Sequence, residues 1–122
     1  MKHLWLATIL ALTLAAPAIA HDVAKGANGG RVAEAGSYHV ELVAKNTRVE
    51  VFLTDANDKP ISAGGFKGVA ILLVSGRSQR IPLNPEGDTR LTGHAGAALP
   101  PNPKGAVQLT APDGKTAQAR FN

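Results

Sequence analysis

Short runs in which apolar and polar residues alternate, each closed by glycine, proline, asparagine or aspartate, leave this chain little choice but to form strands. The clearest run follows the Asn28-Gly29-Gly30 turn and the Gly36-Ser37 break. There Tyr38, Val40 and Leu42 point one way and His39, Glu41 and Val43 the other, because successive strand side chains alternate between faces. A second run, Thr47 to Thr54, offers Val49, Val51 and Leu53, and Lys45-Asn46 suits the tight turn between the two. With Ala44 paired to Thr47, Glu41 faces Glu50 and His39 faces Phe52. Facing carboxylates repel unless Arg48, a proton or a cation intervenes.

Further along, Asp55 to Pro60 is dense in turn formers, and Gly64-Gly65 and Gly68 break the chain again. Val69 to Val74 is apolar on both faces and predicts a central strand buried on both sides. In Ser78 to Leu83, Ile81 and Leu83 share a face, and Pro82 marks an edge position. Thr89 to Thr92 is a short strand, Ala95 to Leu99 has room for one helical turn, and Pro100 to Pro103 is too stiff and donor-poor for a strand interior. Gly105 to Thr110 and Thr116 to Phe121 form a hairpin around Pro112-Asp113-Gly114-Lys115. The pattern predicts one all-β domain over residues 31–122, an antiparallel β-sandwich or small Greek-key barrel of about seven strands. Its expected core includes Val40, Leu42, Val49, Val51, Leu53, Ile71, Leu73, Leu109 and Phe121.

Residues 1–20 read as a signal peptide: a basic head, an apolar stretch from Leu4 to Leu14, and Ala18-Ile19-Ala20 before the cleavage point. Cleavage there makes His21 the first residue of an exported, periplasmic protein, with residues 21–30 as a mobile lead-in and Gly-rich turn. No later stretch is long and apolar enough for a membrane helix.

Thirteen Lys and Arg against nine Asp and Glu give a net charge of +4, scattered without a run and with few aromatics, which speaks against a nucleic-acid surface. Cysteine is absent, so thiolate catalysis, Cys-based zinc sites and disulfides are excluded. No serine occupies a Gly-x-Ser-x-Gly elbow and no His-Glu-x-x-His occurs; the expected protein is not an enzyme. Its chemistry-bearing residues are those that bind a borderline metal ion. His21 would combine an imidazole with a free α-amine, His39 and Glu41 lie on one strand face, Glu50 faces Glu41 in the register above, and His94 sits in a glycine-flanked loop.

Asn28-Gly29-Gly30, the run Glu34 to Val43, Asp55 with Asp58-Lys59-Pro60, the Leu91-Thr92-Gly93 break and Gly114 to Ala117 together resemble a known family. It comprises small periplasmic proteins found beside heavy-metal efflux systems and the amino-terminal modules of some periplasmic adaptor subunits of those pumps. The resemblance covers most of residues 21–122 and implies a β-rich domain that handles copper, zinc or a similar cation. His39 and Glu41 match that family's His-x-Glu strand, whereas the histidines that often precede the Asn-Gly-Gly turn are reduced here to His21. The expectation is one Cu or Zn ion held by ligands from His21, His39, Glu41, Glu50 and His94. A periplasmic pump subunit is the expected protein partner. The alternative is a docking module without a metal of its own, attached through an exposed edge strand.

Overall fold

A computed structural model describes residues 24–122; the proposed signal peptide and His21 lie outside them. Nine strands follow in chain order: β1 (Ala24–Lys25), β2 (Arg31–Ala35), β3 (Tyr38–Lys45), β4 (Arg48–Thr54), β5 (Lys67–Val74), β6 (Arg77–Glu86), β7 (Arg90–His94), β8 (Gly105–Thr110) and β9 (Thr116–Phe121). They pair antiparallel in one sheet of order β1-β2-β3-β4-β7-β6-β5-β8-β9. The sheet curls round one core, so the expected seven-stranded sandwich is corrected to nine strands in a single curled sheet. The added strands are β1 and β2, whose sequence Arg-Val-Ala-Glu-Ala alternates too weakly to be recognised. Strands β5 to β8, in the order β8-β5-β6-β7, make a Greek-key unit in which the fourth strand returns to lie beside the first. No helix long and apolar enough to cross a membrane occurs among the described residues.

Curling brings β2 and β9 side by side without a ladder between them. Arg31 bridges this seam. Its guanidinium lies 5.8 Å from the centre of the Phe121 ring and donates to the carbonyls of Pro103 (3.1 Å) and Asn122. Phe66, from the β4–β5 connection, meets Tyr38 edge-on at 5.4 Å and closes another part of the core.

Seven of the nine expected core residues are buried, but Ile71 is only partly so and Leu73 is 44 % exposed. The inward face of β5 is Ala70, Leu72 and Val74. A single curled sheet has one covered face, so a strand apolar on both sides must leave one of them to solvent. Pro82 is not on an edge strand either: β6 lies between β5 and β7. It is accommodated because β6 changes partners nearby, pairing with β5 through Leu83 and with β7 only from Asn84. Ala95 to Leu99 forms no helical turn.

The β3–β4 hairpin differs by one loop position from the expected one. Lys45 pairs with Arg48, leaving Asn46-Thr47 as the loop, with Asn46 at φ 54°. That slip moves each cross-strand partner by two, so Glu41 faces Phe52, Val43 faces Glu50 and His39 faces Thr54. The β7–β8 connection supports this register: Ala95 N–H donates to Thr47 O and Leu99 N–H to Asn46 O, both at 2.7 Å. These long-range bonds use the loop carbonyls, information absent from the hairpin's own sequence.

Candidate functional site

Glu41 leaves β3 on the outer face, yet is only 6 % exposed because the turn between β1 and β2 folds over it. Its carboxylate accepts from Asn28 N–H (2.9 Å), Asn28 Nδ2 (2.9 Å) and Gly30 N–H (2.8 Å). Backbone amides converging on an anion form a nest, here filled by the protein's own side chain. The turn is drawn so close that a Cβ on Gly26 would overlap the Glu41 carboxyl and one on Gly30 would overlap the Leu42 carbonyl. Gly30 is required for space, and a side chain at position 26 would push the Glu41 carboxylate off its donors. Glu41 therefore anchors the Asn-Gly-Gly turn and has its lone pairs engaged.

Glu50 lies diagonally from Glu41, one strand over and two residues along, in a separate ionic cluster on β4, β7 and β6. Arg48 Nε approaches Glu50 Oε1 at 3.3 Å and Arg90 Nη1 approaches Glu50 Oε2 at 3.9 Å. Both guanidinia also donate to Glu86, Arg48 at 2.9 Å and Arg90 at 3.0 Å, and the Thr92 hydroxyl donates to it at 2.8 Å. The cations beside Glu50 are thus arginines, and Glu41 and Glu50 do not face each other directly. Glu86 holds the Arg48 guanidinium above its usual value, with Glu50 adding to the effect. Thr92, then Arg90 and Arg48, bring the Glu86 carboxyl from 4.5 down to about 2.

A depressed folded-state value means that Glu86 contributes stability above its unfolded value, and this is lost as pH falls from about 4.5 through about 2. Carboxyl-carbon chemical shifts followed by NMR should place the Glu86 midpoint near 2, and Thr92→Val should raise it. A midpoint near 4.5 in both proteins would remove the cluster from the account of acid stability.

His39 emerges near the opposite end of the outer face. Its Nδ1 lies 2.7 Å from Asp58 Oδ1 and its Nε2 3.7 Å from Glu34 Oε1. Glu34 is its cross-strand partner on β2, and Asp58 reaches it from a turn fixed by the Asp55 side chain, which accepts from Asn57 and Lys59 N–H. The carboxylates meet different ring nitrogens on opposite sides of the imidazole, so the three groups do not converge on one point. A broad groove surrounds His39, with Phe52, Thr54 and Pro60 in its lining and Ala24 to Asn28 on its other wall. The partners Glu34 and Asp58 went unrecognised in the sequence. The two-residue Gly36-Ser37 loop carried the signal for Glu34, since it sets Glu34 opposite His39.

His94 is exposed at the end of β7, opposite Arg48, whereas His39 is opposite Thr54 at the other end of β4. Six residues at about 3.3 Å each separate these positions by roughly 20 Å. The structure therefore places His39, Glu41, Glu50 and His94 in four different settings, and His21 lies outside the described residues. Among the described residues no group of three or more His, Asp or Glu side chains is arranged to hold a metal ion.

The sequence reading missed another surface altogether. On the outer face of β6-β5-β8-β9, the row Arg80, Ile71, Ala106 and Arg120 runs across four paired strands, with Val69 and Leu73 flanking Ile71 along β5. Leu73 is an exposed large hydrophobic residue. Lys67 lies on the same face of β5, and Lys104 pairs its carbonyl with Leu73 N–H at one end. Residues 67–83 and the strands β8 and β9 contain no carboxylate side chain. Cations that look scattered in sequence are thus gathered by the topology round an aliphatic centre. Compared with protein-family models, curated proteins and solved structures, the chain matches none of them.

Proposed function

We propose that this protein is a non-catalytic docking module of the cell envelope, associated through its family resemblance with heavy-metal efflux, which works by presenting a preformed surface. The observation that carries this reading is the outer face of β6-β5-β8-β9, aliphatic at Val69, Ile71 and Leu73 and flanked by Arg80 and Arg120. A half-exposed aliphatic centre, with Leu73 its exposed member, and a polar, like-charged rim is the composition of a surface that meets a partner. This differs from the edge-strand attachment expected from sequence: the surface is a sheet face. A photo-reactive amino acid at position 73, activated in cells exporting the protein, should give a covalent adduct that the same residue at exposed Lys45 does not. If position 73 gives no adduct, docking through this face is wrong.

A second reading keeps a Cu or Zn ion, now centred on His39 rather than on the Glu41–Glu50 pair. It is favoured by the direction of β1, which pairs Ala24 with Val32 and so sets the first described residue toward the end of β2 that carries Glu34, the cross-strand partner of His39. Titration calorimetry on protein beginning at His21 should show one site, weakened by His39→Ala and by pH below about 6, where imidazole protonates. Glu41→Gln and His94→Ala should leave the affinity unchanged. Affinity weaker than about 0.1 mM for both ions, or a His39→Ala variant that binds like the parent, would dismiss this reading.

A further inference from the structure

We propose that the surface contacted by the β6-β5-β8-β9 face is a layer of anionic phospholipid headgroups. The inference rests on the docking reading above and names what that face meets. Charge complementarity is the first argument. The four strands with their connecting turns and Lys104 carry Lys67, Arg77, Arg80, Lys104, Lys115 and Arg120, against two carboxylates: Asp113, whose side chain accepts from Lys115 N–H in the β8–β9 turn, and Glu86, at the β7-paired end of β6, which is engaged by Arg48 and Arg90. The rest of the described chain has nearly balanced charge, and its carboxylates Glu34, Glu41, Glu50, Asp55, Asp58 and Asp88 lie outside this half of the sheet.

Shape is the second argument. The face is the outside of a curled sheet, and its centre on β5 and β6 lies outside the two grooves described, whereas Arg120 at its β9 edge lines the groove around His39 and Lys104 lines the other. A tight protein interface draws its energy from side chains seated in pockets, whereas a headgroup layer requires none. Arg80 and Arg120 stand three strand spacings apart, roughly 14 Å, and Lys67 and Leu73 are separated by roughly 20 Å along β5. That footprint spans several headgroups. Long arginine and lysine stems can lie along the aliphatic row while their charged ends reach phosphate oxygens, for which the guanidinium fork is suited. A second copy of the chain is a poor occupant, because apposing this face with itself would set cations against cations.

The test is sedimentation with vesicles of equal parts phosphatidylglycerol and phosphatidylcholine, and with pure phosphatidylcholine vesicles, at low and physiological salt. Parent protein should bind the anionic vesicles at least tenfold more tightly, and lose affinity as salt rises. Arg80→Glu with Arg120→Glu should weaken binding at least tenfold, given roughly fivefold per surface cation. Lys45→Glu with Lys59→Glu, the same change in net charge elsewhere, should stay within about twofold of the parent. Any binding through the apolar Leu4–Leu14 stretch is common to all these proteins, and matched thermal midpoints verify that the exposed substitutions leave the fold intact.

Equal binding to both vesicle types, or equal effects of the two double variants, overturns the lipid assignment. If vesicles are ignored but position 73 forms an adduct with a protein in cells, the docking reading stands and its occupant is a protein. Failure of both measurements ends both proposals.

Discussion

Glu41→Ala is expected to destabilise the fold by about 3–5 kcal/mol, measured by urea denaturation in the presence of a chelator. The carboxylate accepts three hydrogen bonds from Asn28 and Gly30, and Gly30 is buried. Hydrogen bonds to a charged acceptor contribute about 1.5–3 kcal/mol each, and part of that returns as the exposed Asn28 groups rehydrate. Removing the side chain also frees the turn between β1 and β2 from the sheet, so the loss extends to the β1–β2 ladder. Glu41→Gln should fall between parent and alanine variant, since one amide oxygen accepts while its NH₂ meets donors. A metal ligand with no structural duty would behave differently: without metal, its removal would leave stability within about 0.5 kcal/mol of the parent. That outcome would reverse the assignment of Glu41 as the anchor of the Asn-Gly-Gly turn.

The second large effect separates adjacent residues of β5. Leu72 is fully buried and Leu73 is 44 % exposed. Leu72→Ala should cost about 2–5 kcal/mol, from lost burial plus the cavity left among side chains of the surrounding strands. Leu73→Ala should change stability by less than about 0.5 kcal/mol. Equal losses at the two positions would mean that β5 is covered on both faces, as its sequence suggests, and that the outer face is not available for docking. Chemical denaturation of both variants, with the parent's m-value as the check on two-state behaviour, measures the contrast.

The ionic cluster and the His39 surroundings differ in how each was reached. Arg48, named in the sequence as the group able to relieve Glu50, does so at 3.3 Å, but with Arg90 and Glu86 from strands far along the chain. Neither distant residue could be placed beside Glu50 before the order β4-β7-β6 was known. Likewise, the paired acidic residues that made Glu41 and Glu50 look like a metal site owed their apparent proximity to a hairpin register one loop position away from the real one.

What the sequence determined by itself was local. Alternation decided that Val40, Leu42, Val49, Val51 and Leu53 point inward, because a strand's two faces are set by a period of two residues and a slip of two in pairing preserves them. Turn chemistry located the Asn46 bend and the closing hairpin, since positive φ and loop length are properties of a few adjacent residues. Only tertiary structure decided which strands neighbour one another, which apolar face of β5 is covered, and which carboxylates find cations. Those depend on the curl of the whole sheet and on bonds such as Ala95 to Thr47, between residues far apart in sequence. Periodicity reports that a side chain is on a face; only the packed sheet determines what lies over it.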